Sequence, residues 1–203
     1  MSRCFIETSW ASHNHAEEEL CGDKVESVVM EDGGQLLVLS DGLGSGVKAN
    51  ILASLTCKII SSMVLAGAAL SDVVETVAST LPICKEREVA YSTFTLLQVH
   101  PDGIASFVEF DNPSLVWLRN GQTKAVPWQT QQIAGRSIHI ASVHLELGDF
   151  LVAFSDGVTH AGVGQAYSFG WERDAIVDFL EQSYRPQDRA SDVQKRLLSL
   201  IHI

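Results

Sequence analysis

The chain has 203 residues, 46% of them apolar and 19% charged, with a formal net charge of −11. That length fits a single domain able to bury about 70% of its unfolded surface, with no need of disulfides or structural metal to hold it together. The acidic balance argues against nucleic acid or an anionic membrane as a partner, and an anionic substrate would need local positive charge such as a bound cation.

The first residues, MSRCFIETSW, contain no signal-peptide apolar core, and residues 3–10 read as a short strand. Residues 11–22 are polar and acidic and read as a loop. Asp23 opens DKVESVVME, a strand, and Asp32-Gly33-Gly34 is a hairpin turn signal. The return strand begins with the apolar run Leu36 to Leu39 and closes at Asp41-Gly42. In an antiparallel pair, the start of one strand lies beside the end of the other. Asp23 and Asp41 should therefore be neighbours.

Gly44-Ser45-Gly46 permits a tight entry into a helix over 47–65, with Ala66-Gly67-Ala68 as its exit. The apolar stretch Ile51 to Leu70 is interrupted by Lys58 and several hydroxyl residues, and reads as a buried helix of a soluble domain rather than a membrane span. Ser71 is placed to cap a second helix ending at Leu81. Residues 82–88 form a charged connector, and 89–151 alternate strands with turn signals at Pro101-Asp102-Gly103, Asp111-Asn112-Pro113 and Asn120-Gly121. Residues 127–137 read as a Gln-rich loop. The strand of LVAFSDG then exits at a second Ser-Asp-Gly, with Asp156 at its end, followed by a Gly-rich loop over 158–170. Helical periodicity covers 171–184 and 188–200, with Pro186 between them. Strands, two helices, a strand meander and two more helices make an α+β domain.

Three aspartates, Asp23, Asp41 and Asp156, thus sit at strand ends. Clustered carboxylates repel unless a cation is shared among them, and an all-oxygen set favours magnesium or manganese over zinc. Gly42, without a side chain, lets its carbonyl approach as a further oxygen ligand. A two-metal site of this kind activates water and clamps a phosphoryl group, with no protein nucleophile. Taken singly, each Asp-Gly is an ordinary turn; the two Ser-Asp-Gly exits together with Cys21-Gly22-Asp23 give the pattern its weight. Other candidates carry less. His13-x-His15 lies in a polar loop. Asp41-Gly42-Leu43-Gly44-Ser45-Gly46 looks like a phosphate-binding nest at a helix N-terminus but lacks the Lys-Ser/Thr of a P-loop. The four cysteines show no CxxC spacing, and Cys57 reads as core. A reducing cytoplasm is the expected location.

The ordered motifs Gly22-Asp23, Ser40 to Gly46 with Ala49, Tyr91-Ser92-Thr93-Phe94, FVEFDNPSLVWLRNG, Gly148-Asp149 and Phe154 to Val158 resemble the PPM-type metal-dependent serine/threonine protein phosphatases, in their SpoIIE-like bacterial branch of sporulation and stress-response phosphatases. The resemblance runs from about residue 5 to residue 200. It implies a four-layer α-β-β-α sandwich with a Mn2+ or Mg2+ pair in a cleft at one edge. Carried over by motif, Asp41 would bridge both metals, Asp23 and the Gly42 carbonyl would complete one site, and Asp156 would serve the other. It also implies a phosphoprotein substrate such as an anti-sigma-factor antagonist, a regulatory role for residues 47–81, and a homodimer as a candidate state.

The chain departs from the pattern twice. Relatives end with a further strand opened by an Asp-Asp pair that ligates metal, whereas this chain stops at LLSLIHI, so 1–203 is expected to be one phosphatase domain truncated before that strand. His160 stands where many relatives carry an acidic residue, and is a candidate cleft residue able to donate a proton to the leaving oxygen. The rival to the enzyme is a non-catalytic binding module of the same fold with an incomplete metal site.

Overall fold

The computed structural model describes residues 5–13, 20–80, 92–161 and 171–199, with the backbone alone at 83–84 and 89–90. Its first sheet grows from hairpins. β1 (Asp23–Val29) and β2 (Gln35–Gly42) pair antiparallel around the Asp32-Gly33-Gly34 turn. Gly33 holds φ +86, where a side chain would be strained, and the Gly34 N–H donates to the Asp32 carboxylate at 2.8 Å. α1 (Gly46–Leu65) and α2 (Leu70–Thr80) follow, then a two-stranded ribbon of β3 (Ile83–Cys84) and β4 (Val89–Ala90). β5 (Ser92–Val99) and β6 (Ile104–Phe110) form the next hairpin. β7 (Val116–Arg119) and β8 (Gln122–Lys124) belong to a second sheet, and β9 (Gln129–Ile133) and β10 (Arg136–His144) return to the first. β11 (Phe150–Val152) pairs with β7, after which come α3 (Asp156–Thr159), α4 (Arg173–Ser183) and α5 (Ala190–Ser199). The first sheet has the order β1-β2-β5-β6-β10-β9 and the second β11-β7-β8.

Strand alternation sorts the side chains into three cores. Leu36, Val38, Phe94, Leu96, Val108, Phe110 and Ile138 face α1 and α2, meeting Cys57, Ile60, Val73 and Val77. Leu97, Phe107, Leu115, Trp117 and Ala141 fill the space between the sheets. Val116, Leu118 and Phe154 face α4 and α5, meeting Ile176, Leu180, Val193 and Leu197. The result is the expected α-β-β-α sandwich. Glu109 is the charged exception within it, buried at 3% exposure beside the inter-sheet core. Its carboxylate accepts the Leu115 N–H at 2.6 Å and the Ser114 hydroxyl at 3.0 Å, while burial pushes its pKa up to about 7. Arg173, the first residue of α4, donates to the Ser114 and Leu115 carbonyls, so the β6–β7 connection ties the last helical layer to the first sheet.

Several sequence readings need correction. Residues 5–10 form no strand; they run along α5, with Ser9 donating to Gln194 and Glu7 paired with Arg189, while residues 3–4 lie outside the described set. Ser71 sits inside α2, not at its cap, because the Ala69 carbonyl already receives the Asp72 and Val73 N–H groups. Residues 127–137 are not a loop. Gln129–Ile133 is an edge strand, where exposed polar side chains are tolerated, and Ala134 (φ +49) with Gly135 (φ +76) supplies the two-residue hairpin loop. The connector over 82–88 contains β3, its residues 85–88 lying outside the described set. α1 is buried on one side only. It is long and apolar enough to span a membrane by length and composition, yet Ala49, Ala53, Cys57, Ile60 and Val64 pack on the first sheet while Val47, Ile51 and Leu55 are exposed.

Phe107 is fully buried between the sheets and contacts the Trp128 ring edge-on at 6.3 Å. Phe107→Ala should cost about 3–5 kcal/mol in urea unfolding, the range for removing a large core aromatic.

Candidate metal centre and its carboxylates

The β1–β2 register places Asp23 directly opposite Asp41, as the antiparallel reading required. Asp156 is not at a strand end. β11 stops at Val152, and Asp156 is the first residue of the short helix α3, with Ser155 before it in extended conformation. The chain reaches the same place by a different route. The Asp41 carboxyl lies within hydrogen-bonding reach of both Asp23 and Asp156, and Asp23 feels the charge of Asp156. Burial, then the neighbouring charges of Asp23 and Asp156, push the Asp41 pKa up to about 8. Burial also raises Asp23, with the charge of Asp156 adding to it, against hydrogen bonds from Ser155 and Asp41. Among the described residues no group of three or more His, Cys, Asp or Glu side chains is placed so as to hold a metal ion as it stands.

The backbone around the cluster is set by a close helix–strand approach. A Cβ on Gly42 would lie 2.1 Å from the Ala49 carbonyl oxygen, and one on Gly22 would lie 3.3 Å from the Ala49 methyl. Gly42 and Ala49 therefore let the first turns of α1 settle directly on the end of β2. The Gly42 N–H donates to the Gly22 carbonyl at 3.3 Å, and the Asn50 carboxamide donates to the Cys21 carbonyl at 2.8 Å, fastening the segment that leads into Asp23.

Serines absent from the sequence reading of the site turn out to support it. The Ser155 hydroxyl donates to Asp23 Oδ2 at 2.6 Å, joining segments 132 positions apart. Ser92 donates to the Asp41 carbonyl at 3.1 Å and shares a 2.6 Å hydrogen bond with buried Ser40. The signal was present in the chain: in both Ser-Asp-Gly copies a buried serine precedes the aspartate. His160 caps α3 on the exposed surface, and its Nδ1 lies 2.9 Å from the Asp156 carbonyl. That carbonyl can only accept, so Nδ1 carries the proton and Nε2 is the nitrogen left for proton transfer. The loop read over 158–170 contains the end of α3, and its residues 162–170 lie outside the described set, as do His15 of the His13-x-His15 pair and Tyr91.

The donor set is all oxygen, doubly or triply anionic when ionised, and strained by its own repulsion. Those properties suit a hard divalent cation.

The sequence model of the family described as Stage II sporulation protein E (SpoIIE) matches residues 31–202, most of the chain. The chain belongs to the SpoIIE family. No curated protein matches it significantly. Among solved structures, the PP2C phosphatase domain with a regulatory-domain fragment of SpoIIE from Bacillus subtilis superposes with a TM-score of 0.69 at 20% identity, covering 89% of this chain and 53% of that one. The RsbU and RsbW domains of a Mycobacterium tuberculosis protein give 0.68 at 20% identity, covering 91% and 52%. RsbX in complex with magnesium gives 0.56 at 17% identity, covering 87% of each chain. The SpoIIE-family chain thus spans about half the length of the first two. At these identities the likeness establishes the fold, an α+β PP2C-type sandwich.

Two outcomes follow from the packing and charge of the centre. Gly42→Ala should displace α1 and lower the melting temperature in thermal unfolding, because no rotamer relieves a backbone overlap. For the metal-free chain, Asp41 and Asp23 have folded pKa values above their ordinary 3.8. Their protonated forms favour the fold, so the Asp41 contribution is complete below about pH 4 and is lost as pH rises through about 8, and that of Asp23 is lost in the same direction. Melting temperature should fall over that window, and Asp41→Asn should flatten the fall; a pH series of calorimetric melts in chelator measures both.

Proposed function

We propose that this SpoIIE-family chain is a metal-dependent protein serine/threonine phosphatase, hydrolysing phosphoserine or phosphothreonine on a regulatory phosphoprotein such as an anti-sigma-factor antagonist. The observation that carries the reading is the convergence of Asp23, Asp41 and Asp156 from three segments at one point. The PP2C-type fold and the structural neighbour in complex with magnesium support it.

In this reading Asp41, together with Asp23, the Gly42 carbonyl and Asp156, would hold Mn2+ or Mg2+, with Asp41 as the ligand that the ions would have in common. When bound, the cations supply positive charge for a phosphoryl group and lower the pKa of the attacking water. The chain's own residues hold that arrangement. Ser155 fixes the orientation of Asp23, and Ser92 fixes the backbone of Asp41. His160, its Nδ1–H committed to the Asp156 carbonyl, would donate to the leaving oxygen from Nε2 only as the doubly protonated imidazolium.

Titration calorimetry with manganese, paired with release of phosphate from a phosphoserine peptide, tests the proposal. Binding of the metal, with activity abolished by Asp41→Asn, is the expected result. No binding at millimolar manganese would sink it and leave the rival, a non-catalytic module with an incomplete site. Ser155→Ala should weaken metal affinity about tenfold or more, as loss of an outer-sphere hydrogen bond to a ligand does.

A further inference from the structure

Two large apolar side chains stand in solvent on a cleft that reaches the carboxylates. The cleft has a volume of about 290 Å³ and is lined by Trp10, Leu20, Val25 and Asn50, with Asp23 and Lys24 on its wall. Trp10 is 54% exposed and Leu20 42%. Scattered singly, such residues are ordinary; two on one cleft make an apolar surface suited to a ligand. β1 is the outer strand of its sheet, so the cleft is open along one side and admits a chain that runs past it.

The walls are fixed by contacts from three parts of the chain. The segment that carries Trp10 is tied to α5 and the turn before it, with Ser9 donating to Gln194 at 2.8 Å and Glu7 paired with Arg189 at 3.5 Å. Asn50 of α1 donates to the Cys21 carbonyl at 2.8 Å and so holds the backbone between Leu20 and Asp23. The Cys21 thiol donates in turn to the His13 carbonyl at 3.3 Å, joining the two flanks. Walls already in place spare a ligand the entropy of ordering them.

Position, charge and size select the occupant. Asp23 belongs both to the cleft and to the carboxylate cluster, so a phosphoserine held at the cluster brings its flanking residues, about 3.3–3.6 Å apart along an extended chain, to the cleft. Lys24 is exposed and forms no ion pair with another described residue. In a chain of net charge −11 it offers a local cation to an anionic peptide. The volume lies at the lower end of ligand sites, which begin near roughly 300 Å³, so the cleft takes a side chain or two and no larger body. We infer that this cleft is a specificity subsite of the proposed phosphatase centre and takes an apolar side chain adjacent to the phosphoserine of the substrate, with the Trp10 indole and Leu20 as its walls; this rests on the phosphatase reading and names the phosphopeptides that the centre prefers. Binding at such a subsite acts through KM, because the buried side chain is held alike in ground state and transition state.

Two phosphoserine peptides of equal length and charge, one with leucine and one with glycine on both sides of the phosphoserine, test the subsite with the full chain in manganese. The leucine peptide should be favoured in kcat/KM by about tenfold or more through a lower KM, the equivalent of burying one aliphatic side chain. Trp10→Ala should bring the ratio of the two kcat/KM values close to one, and Trp10→Phe should keep most of it. The ratio is taken within each variant, so a loss of catalysis common to both peptides does not imitate the effect. Circular dichroism checks folding; should Trp10→Ala not fold, Leu20→Ser removes the other apolar wall and should lower the ratio likewise. p-Nitrophenyl phosphate, which has no flanking residues, separates the two proposals. If it is turned over, a leucine-to-glycine ratio near one in the unaltered chain, or a ratio unchanged in the folded variants, overturns the subsite and leaves the phosphatase reading standing. If neither it nor either peptide is turned over, the phosphatase reading is overturned and the subsite falls with it.

Discussion

Three carboxylates held close enough for Asp23 and Asp156 to act on the charge of Asp41 are a standing electrostatic cost, and the fold around them is built to bear it. Asp41 cannot relax away from Asp23, because β-sheet register sets the two opposite each other. It cannot move away from Asp156, because α3 is seated by Phe154 in the core beneath α4 and α5. The cluster is thus locked by covalent geometry and packing, and its repulsion is expressed as proton uptake. Repulsion of this kind between carboxylates is what a shared cation relieves in general.

That lock depends on how near α1 comes to β2. Small residues line the approach: Gly22, Gly42, Ala49 and Ala53 on the site end, giving way to Cys57, Ile60 and Val64 farther along the helix. The helix therefore meets the sheet closely at the carboxylates and at ordinary side-chain distance elsewhere. Its opposite side keeps Val47, Ile51 and Leu55 in solvent, a feature that a periodicity argument based on total apolarity does not distinguish from full burial.

What could be read from the chain was what local rules determine. The Asp32-Gly33-Gly34 turn fixed a hairpin, the hairpin fixed the Asp23–Asp41 pairing, and the Gly-Ser-Gly entry fixed the start of α1. Readings failed where a segment takes its structure from a distant neighbour. Gln129–Ile133 has a polar composition suited to a loop and becomes a strand because β10 offers it partners. Residues 5–10 alternate like a strand and find α5 in place of a sheet edge. The apolar run before Asp156 predicts a strand up to that residue, whereas the strand ends at Val152 and the chain turns into a helical segment four residues beyond β11. Ser155 is visible in the repeated Ser-Asp-Gly motif, but its partner Asp23, 132 positions away, is not.

The Ser155–Asp23 hydrogen bond also crosses from one half of the sandwich to the other. Asp23 rides on the six-stranded sheet, while Ser155 and Asp156 ride on the layer carrying Phe154, Val116 and the terminal helices. Sliding of one half over the other is resisted along most of the seam by interdigitated apolar side chains, which tolerate small displacements gradually. At this one contact the same displacement is felt as a stretched hydrogen bond and a widened carboxylate triangle. The centre therefore doubles as a strain gauge: its spacing registers the alignment of the two halves.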